Sequence, residues 1–176
     1  MNERRGIQRV LQVHTRYRQA GGEDLVVEAE KRLLEEAGIE VSQVIFDNAD
    51  LQESNSLAGD LGLALSAIWS RSAARRVTAA IVAGRPQVVH VHNTFPAASP
   101  SVYPAAVAQG VPVVQTLHNY RLVCPAATAF RDGRACTDCI GRAVPWPAVA
   151  HACVRDRKST RLNSSHIQKS RMPSSA

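Results

Sequence analysis

Apolar and polar residues follow one another along the first two thirds of the chain in blocks that predict strands and helices in turn. Short apolar runs predict four strands: "RVLQV", "IEVSQVIF", "QVVHVH" and "VPVVQTL". Between the first two, apolar residues of "EDLVVEAEKRLLEEAG" recur at helical spacing, with acidic residues in the first turn and Gly38 as the stop. "LGLALSAIWSRSAARRVTAAIVAG" predicts a second helix, and "PSVYPAAVAQG" predicts a short one interrupted by Pro104.

This order of elements predicts the fold class. Strands that alternate with helices, and runs too apolar to have one face in water, are typical of a parallel sheet covered on both sides. We therefore predict an α/β fold, a Rossmann-like open parallel sheet with helices on both faces. The carboxyl ends of all its strands then lie along one edge, where such sheets bind ligands.

Polar residues collect at that edge, because each predicted strand is followed by them. A histidine follows three of the four strands, at His14, His92 and His118. A single histidine is as often structural as functional, but three at one edge indicate a site for a polar ligand. The full set is His14, Thr15, Arg16, Tyr17, Asp47, Asn48, His92, Asn93, Thr94, His118, Asn119 and Tyr120.

Two glycines, Gly21 and Gly22, precede the first helix in "AGGED". Glycines let a ligand approach the backbone closely, and the free N–H groups of a helix N-terminus favour phosphate or another anion. A plain loop-to-helix turn explains the same pair. The patterns G-x-G-x-x-G and G-x-x-x-x-G-K-[ST] are absent, so the sequence supports neither a dinucleotide-binding dehydrogenase nor a P-loop NTPase.

Three stretches in the order "VLQVHTRYRQAGGEDLVVEAEKRLLEEAGIEV", "VVHVHNTFP" and "VPVVQTLHNYRLVCP" together resemble the N-terminal domain of retaining GT-B glycosyltransferases of family 4. The resemblance covers residues 9 to about 155. It implies an enzyme that transfers a sugar from a nucleotide-sugar to a glycan or lipid-linked acceptor with retention. It also implies that this half mainly holds the acceptor, and that the chemistry needs no cofactor.

The resemblance also implies roles for individual residues. His118 would face the donor sugar and act as the catalytic residue, and the loop of Gly21, Gly22 and Glu23 would lie near the donor diphosphate. The acceptor side would be lined by Arg16, Tyr17, His92, Asn93, Asn119 and Tyr120.

The end of the chain departs from the family. The C-terminal domain that engages the nucleotide-sugar has no counterpart before Arg155, so we expect residues 1–155 to be a partial, GT-B N-terminal domain that transfers no sugar by itself. The ending "DRKSTRLNSSHIQKSRMPSSA" is polar and without apolar period, and its back-translation resembles a common short-read sequencing adapter. We interpret 156–176 as an artefactual or disordered tail.

Leaving out this tail changes the charge of the chain. The formal charge of +6 would suggest a nucleic-acid or anionic membrane partner. The tail holds five of the 21 basic residues and one of the 15 acidic residues, so the rest carries 16 and 14, a charge of +2. A nucleic-acid partner therefore loses its support. No run is long enough to span a membrane, and we expect a cytoplasmic protein, with contact to the inner face of the membrane left open.

Four cysteines fall within the loop 124–153, in the order C-x11-C-x2-C-x13-C: Cys124, Cys136, Cys139 and Cys153. Four thiolates at such spacing fit a tetrahedral structural zinc site, in a segment whose glycines and prolines predict neither helix nor strand. Reduced thiols, or a pairing of Cys136 and Cys139 alone, remain open. The chief alternative function is accordingly a non-catalytic, zinc-stabilised Rossmann-like module that binds a nucleotide or a sugar phosphate.

Overall fold

The computed structural model describes residues 6–16, 21–48, 62, 65–142 and 144–153. The chain divides into two compact units, Met1–His118 and Asn119–Ala176. The predicted tail and Tyr17 lie outside the described residues.

The first unit is built on a four-stranded parallel sheet in the order β2-β1-β3-β4. This confirms the predicted α/β, Rossmann-like class. Its strands are β1 (Arg9–Arg16), β2 (Glu40–Asp47), β3 (Val88–Val91) and β4 (Val113–Gln115), and its helices are α1 (Gly22–Glu36), α2 (Arg71–Gly84) and α3 (Val102–Ala108).

One face of the sheet is apolar and forms the core. Alternate side chains of a strand point to opposite faces, so Leu11 and Val13 of β1 share a face with Val89 and Val91 of β3. The buried side of α2 packs against them through Ala73, Val77 and Ile81, and α3 contributes Val102 and Ala106. At about 25 cal/mol per Å² of apolar surface, this burial is the main stabilising contribution that the unit has.

The opposite face of the sheet carries polar side chains, but it too is buried, as expected for a sheet that is covered on both sides. The side chains beneath α1 include Gln12, His14, His90 and His92, all at most 8% exposed. Gln43 donates to Gln12 Oε1 from its Nε2 at 3.0 Å. Polar groups removed from water need partners inside the protein, so α1 covers the sheet by pairing with it as well as by apolar packing.

Helix α1 is confirmed, but its apolar stripe is not buried. Leu25 and Leu33 are 74% and 65% exposed, and Val27 is the one residue of the helix that is buried. The side of α1 that faces the sheet instead carries Asp24 and Glu30, whose partners lie on the strands.

The second predicted helix is divided at Trp69 and Ser70: residues 62 and 65–68 are already helical, and α2 begins after the break. It starts at Arg71, because Ser70 is extended and its Oγ accepts a hydrogen bond from Ala73 N at 3.2 Å. Two buried serines hold this start: Ser70 N donates to Ser99 Oγ, and Ser101 Oγ donates to Ser70 O. Residues 61, 63 and 64 of the predicted helix lie outside the described part.

Pro104 does not interrupt α3. It lies in the first turn of the helix, where a backbone N–H has no intrahelical partner to lose.

The second unit contains short regular elements where the sequence predicted only loop. Strands β5 (Phe130–Arg131) and β6 (Arg134–Ala135) pair antiparallel, and α4 spans Trp146–Ala150. Gly133 occupies the turn of this hairpin with φ of +78°, a conformation that glycine adopts without steric cost. Arg131 Nη2 donates to Asp138 Oδ2 at 2.8 Å.

None of the helices in the described ranges has both the length and the apolar character that a membrane span requires.

Candidate functional site

The candidate site lies at the carboxyl edge of the sheet, where β1 and β3 are neighbours. The chain passes from β1 to β2 on one side and then to β3 on the other, so the order of strands reverses between β1 and β3. Ligands of open α/β sheets bind beside such a reversal. The structure brings the three predicted histidines together there: the ring of His92 lies 6.2 Å from that of His14 and 5.4 Å from that of His118.

His14 is held by the first turn of α1. The buried His14 ring approaches the Asp24 carboxylate with 3.0 Å between Nε2 and Oδ1, and Asp24 Oδ2 accepts a hydrogen bond from Gly21 N at 2.8 Å. Burial raises the pKa of Asp24, but the bonds from Gly21 and His14, together with the charges of His14 and Arg16, outweigh it and lower that pKa. One carboxylate thus fixes the glycine loop, the helix start and the end of β1.

Asp24→Asn tests this arrangement. At neutral pH we expect a loss of about 1–3 kcal/mol in the free energy of unfolding, because the buried His14 and Gly21 N–H lose an ionised acceptor. Since folding lowers the pKa of Asp24 from 3.8, its stabilisation is complete above pH 3.8 and is lost as pH falls through the lower folded value. The difference between variant and wild type in urea unfolding should therefore shrink below pH 3.8.

The matched control for that experiment is Glu28→Gln on the same helix. Among the described residues, its carboxylate makes one exposed ion pair, 3.3 Å from Arg16 Nη2, which is worth less than about 1 kcal/mol. Equal losses in the two variants, or a loss for Asp24→Asn that does not change with pH, would contradict the role given to Asp24.

His14, His92 and His118 lie next to one another at the carboxyl edge, and we call them the histidine row. Within it, His92 and His118 are in direct contact. His92 Nδ1 lies 3.1 Å from His118 Nε2, a hydrogen bond in which the tautomers decide the donor, and the two rings stack. Burial, and after it the neighbouring His90, His118 and His14, together lower the pKa of His92 to about 3. His92 is therefore neutral at neutral pH, and it orients His118, which is only half-buried.

Asn93 connects the carboxyl ends of β1 and β3 by hydrogen bonds. Its Nδ2 donates to Thr15 O at 3.2 Å, its Oδ1 accepts from Phe95 N at 3.2 Å, and its backbone O accepts from Thr15 N at 2.8 Å. Both polar ends of the amide already have protein partners, so the structure gives this side chain a structural role. Its predicted contact with an acceptor stays a prediction, as does that of the exposed Arg16.

The glycine loop is open beside both of its glycines. Among the described residues, no packed atom lies within 4 Å of a Cβ built on Gly21 or on Gly22, and neither glycine has positive φ. Neither packing nor backbone conformation in the described residues explains why glycine stands at these two positions. The predicted contact of Gly21, Gly22 and Glu23 with a diphosphate would explain the two glycines, because they leave room for the ligand.

Asn119 and Tyr120 belong to the second unit. Asn119 Oδ1 accepts from Arg121 N at 3.0 Å, and the exposed Tyr120 accepts through its backbone O from Cys124 N at 2.8 Å. These contacts order a turn within that unit, and the predicted acceptor contacts of both residues stay predictions.

The four cysteines are free and half-buried in the second unit. Cys124 and Cys139 line one pocket and Cys153 lines another. In the described ranges, Glu30, His90 and His92 are the one group of three or more ligating side chains whose ligand atoms converge within 4.8 Å. The structure therefore does not bring three thiols to that spacing, and zinc binding by these cysteines stays a prediction.

Three residues of the site were missed in the sequence. His90 was counted as a strand residue, and Asp24 and Glu30 as parts of an ordinary helix. The alternation "HVH" was the available signal, because residues two apart in a strand share a face. Glu30 lies against both of these histidines, with 3.2 Å from Oε1 to His90 Nδ1 and 3.1 Å from Oε2 to His92 Nε2.

One comparison with known proteins gives a match. A family model described as "Glycosyl transferase 4-like domain" matches residues 21–156, which is most of the chain. The matched range includes the glycine loop, His92, His118 and all four cysteines, whereas β1 with His14 precedes it. No curated protein and no solved structure matches the chain.

Proposed function

Because the chain belongs to the family of glycosyl transferase 4-like domains, we propose that it forms the acceptor-side half of a retaining glycosyltransferase of the GT-B type. The donor is a nucleotide-sugar and the acceptor a glycan or a lipid-linked glycan. In the reaction, the bond from the anomeric carbon to the diphosphate breaks, and a bond to the acceptor oxygen forms on the same face of the sugar. The acceptor proton leaves with the diphosphate.

The observation that carries this proposal is the histidine row at the carboxyl edge. His92 is buried and neutral, and it fixes the orientation of His118 through the contact of 3.1 Å between Nδ1 and Nε2. A ring fixed at one nitrogen can present the other to a sugar hydroxyl without losing much rotational freedom. We assign the donor-sugar contact to His118 for this reason.

The glycine loop supports the donor side of the same proposal. The space beside Gly21 and Gly22 lets a diphosphate reach the backbone N–H groups at the start of α1. Gly21 N already donates to Asp24, so the N–H groups of the residues that follow it are the ones that we assign to the diphosphate.

The setting that we propose is the cytoplasm, with a lipid-linked acceptor presented at the inner face of the membrane during polysaccharide assembly. The alternative of a non-catalytic nucleotide-binding module is not favoured, because the matching family model describes a transferase domain.

Isothermal titration of the purified chain with UDP-glucose, GDP-mannose and the free nucleoside diphosphates tests the proposal. Because the glycine loop and His118 contact the donor in this proposal, we expect at least one nucleotide-sugar to bind to this half, more weakly than to an enzyme with both halves but more tightly than its nucleoside diphosphate. Binding to none of them, together with tight binding of a ligand that carries no sugar or phosphate, would contradict the proposed function.

The expectation that the 176-residue chain transfers no sugar by itself is a separate prediction. Incubation with the nucleotide-sugar that binds and with glycan or lipid-linked acceptors should release no nucleoside diphosphate above the level without protein. A glycosylated product from the purified chain would show that prediction to be wrong, while leaving the assignment to the transferase family intact.

A further inference from the structure

Beneath α1, the carboxylate of Glu30 lies against two histidines, and hydrogen bonding does not account for both contacts. We call Glu30, His90 and His92 the Glu30 cluster. Glu30 Oε1 lies 3.2 Å from His90 Nδ1, and Glu30 Oε2 lies 3.1 Å from His92 Nε2. The ligand atoms of all three residues lie within 4.8 Å of one another.

The contact between Glu30 and His92 is close but poorly directed. His92 Nε2 is buried and, although Glu30 Oε2 is 3.1 Å away, it makes no hydrogen bond of acceptable geometry. A buried polar atom left in this state destabilises the fold. The side chain of His92 is fully buried, so water does not compensate from outside.

The separations in the cluster match those between ligands of one metal ion. In a tetrahedral zinc site with bonds of about 2.0 to 2.2 Å, two ligand atoms lie about 3.3 to 3.6 Å apart. The two oxygen-to-nitrogen distances of the Glu30 cluster, 3.2 and 3.1 Å, are slightly shorter. Small rotations of the Glu30 side chain, which is 32% exposed, would open the space for an ion.

The outer nitrogens of both histidines are held as metal-binding histidines require. His90 Nε2 lies 2.8 Å from Thr116 Oγ1, and His92 Nδ1 lies 3.1 Å from His118 Nε2. A partner on the far nitrogen fixes the tautomer and leaves the near nitrogen free to ligate. Both rings extend from one strand face, since His90 and His92 are two residues apart in the chain.

We propose that the Glu30 cluster binds a divalent transition-metal ion, with Zn²⁺ the best match to two imidazoles and one carboxylate. These three ligands leave one tetrahedral position open, which a water molecule would fill. The site is independent of the cysteines of the second unit, and it does not depend on the proposed sugar transfer.

Cobalt absorption spectroscopy tests this proposal, because Co²⁺ substitutes for Zn²⁺ and reports its ligands. Titration of the reduced chain with Co²⁺ should produce visible bands of tetrahedral coordination without the near-ultraviolet band of thiolate ligation, and Zn²⁺ should abolish them. Glu30→Gln should weaken Co²⁺ binding at least about 100-fold, because even partners outside the ligand shell contribute 10–100-fold. Glu36→Gln, at the exposed end of the same helix, should bind as the wild type does.

Two further measurements separate this site from other sources of binding. The variant Cys136→Ser/Cys139→Ser should retain the same visible bands, whereas their loss would assign the ion to the cysteines. If Glu30→Gln fails to fold, the proposal is tested on the wild type instead, by recording the NMR signals of the histidine rings during titration with Zn²⁺. Shifts at His90 and His92 but not at His151 support the proposal, and unchanged rings or the absence of Co²⁺ binding overturn it.

Discussion

Replacing Gly22 with alanine is expected to weaken the binding of nucleoside diphosphates and nucleotide-sugars alike by about 10-fold to 100-fold. A hydrogen bond to a charged group contributes about 1.5–3 kcal/mol, and a methyl group in the space beside the loop keeps the diphosphate from the backbone N–H groups. The fold should be unaffected, because an added Cβ meets no protein atom and alanine favours the first turn of a helix. Isothermal titration and urea unfolding measure the two effects.

The matched control is Gly38→Ala, at the other end of the same helix. Gly38 has φ of +81° and lies far along α1 from the loop. This variant should therefore lose about 1 kcal/mol of stability through backbone strain while its folded molecules bind the nucleotide with unchanged affinity. Unchanged affinity in Gly22→Ala would remove the glycine loop from the donor site.

His118→Ala should give a different pattern of loss. If His118 contacts the donor sugar, the variant binds a nucleotide-sugar about 3-fold to 10-fold more weakly, which is the contribution of a single hydrogen bond. Its affinity for the free nucleoside diphosphate should not change, because that part of the ligand does not touch the ring. Titrations of both ligands against both proteins measure this difference.

His151→Ala is the control for His118→Ala, since it removes an exposed histidine from the second unit. It should affect neither ligand. Equal losses of nucleotide-sugar and nucleoside diphosphate in His118→Ala would place His118 away from the sugar, and the same loss in His151→Ala would show that the effect is not specific to the row.

Much of the first unit followed from the sequence because its strands are short apolar runs bounded by polar residues. The four strands, their order with the helices and the convergence of His14, His92 and His118 at one edge were all predictable from that pattern. Convergence follows from topology alone, since parallel strands end on the same side.

The polar face beneath α1 was not predictable in the same way. A strand such as "VVHVH" is apolar on one side and carries histidines on the other, and its composition does not say which helix supplies their partners. The apolar stripe of α1 suggested a helix that buries Leu25 and Leu33, whereas it is the acidic side with Asp24 and Glu30 that faces the sheet. Pairing between distant polar groups outweighed the local apolar pattern.

The start of α2 shows a second limit of local patterns. The Ala- and Leu-rich stretch continues without interruption through Ser70, but Ser99 and Ser101, 29 and 31 residues further along the chain, bind the backbone of Ser70. A helix boundary that is set by long-range hydrogen bonds has no local signal other than the serine itself.

The central claim is that His118, held by its contact with His92 at the carboxyl edge of the sheet, contacts the sugar of the nucleotide-sugar. Histidine ring NMR of the chain, during titration with the nucleotide-sugar that binds, tests it most directly. We predict that the ring signals of His118 and His92 shift in proportion to occupancy, whereas the ring of His151 does not respond. Saturable binding that leaves both rings of the row unchanged would contradict the claim.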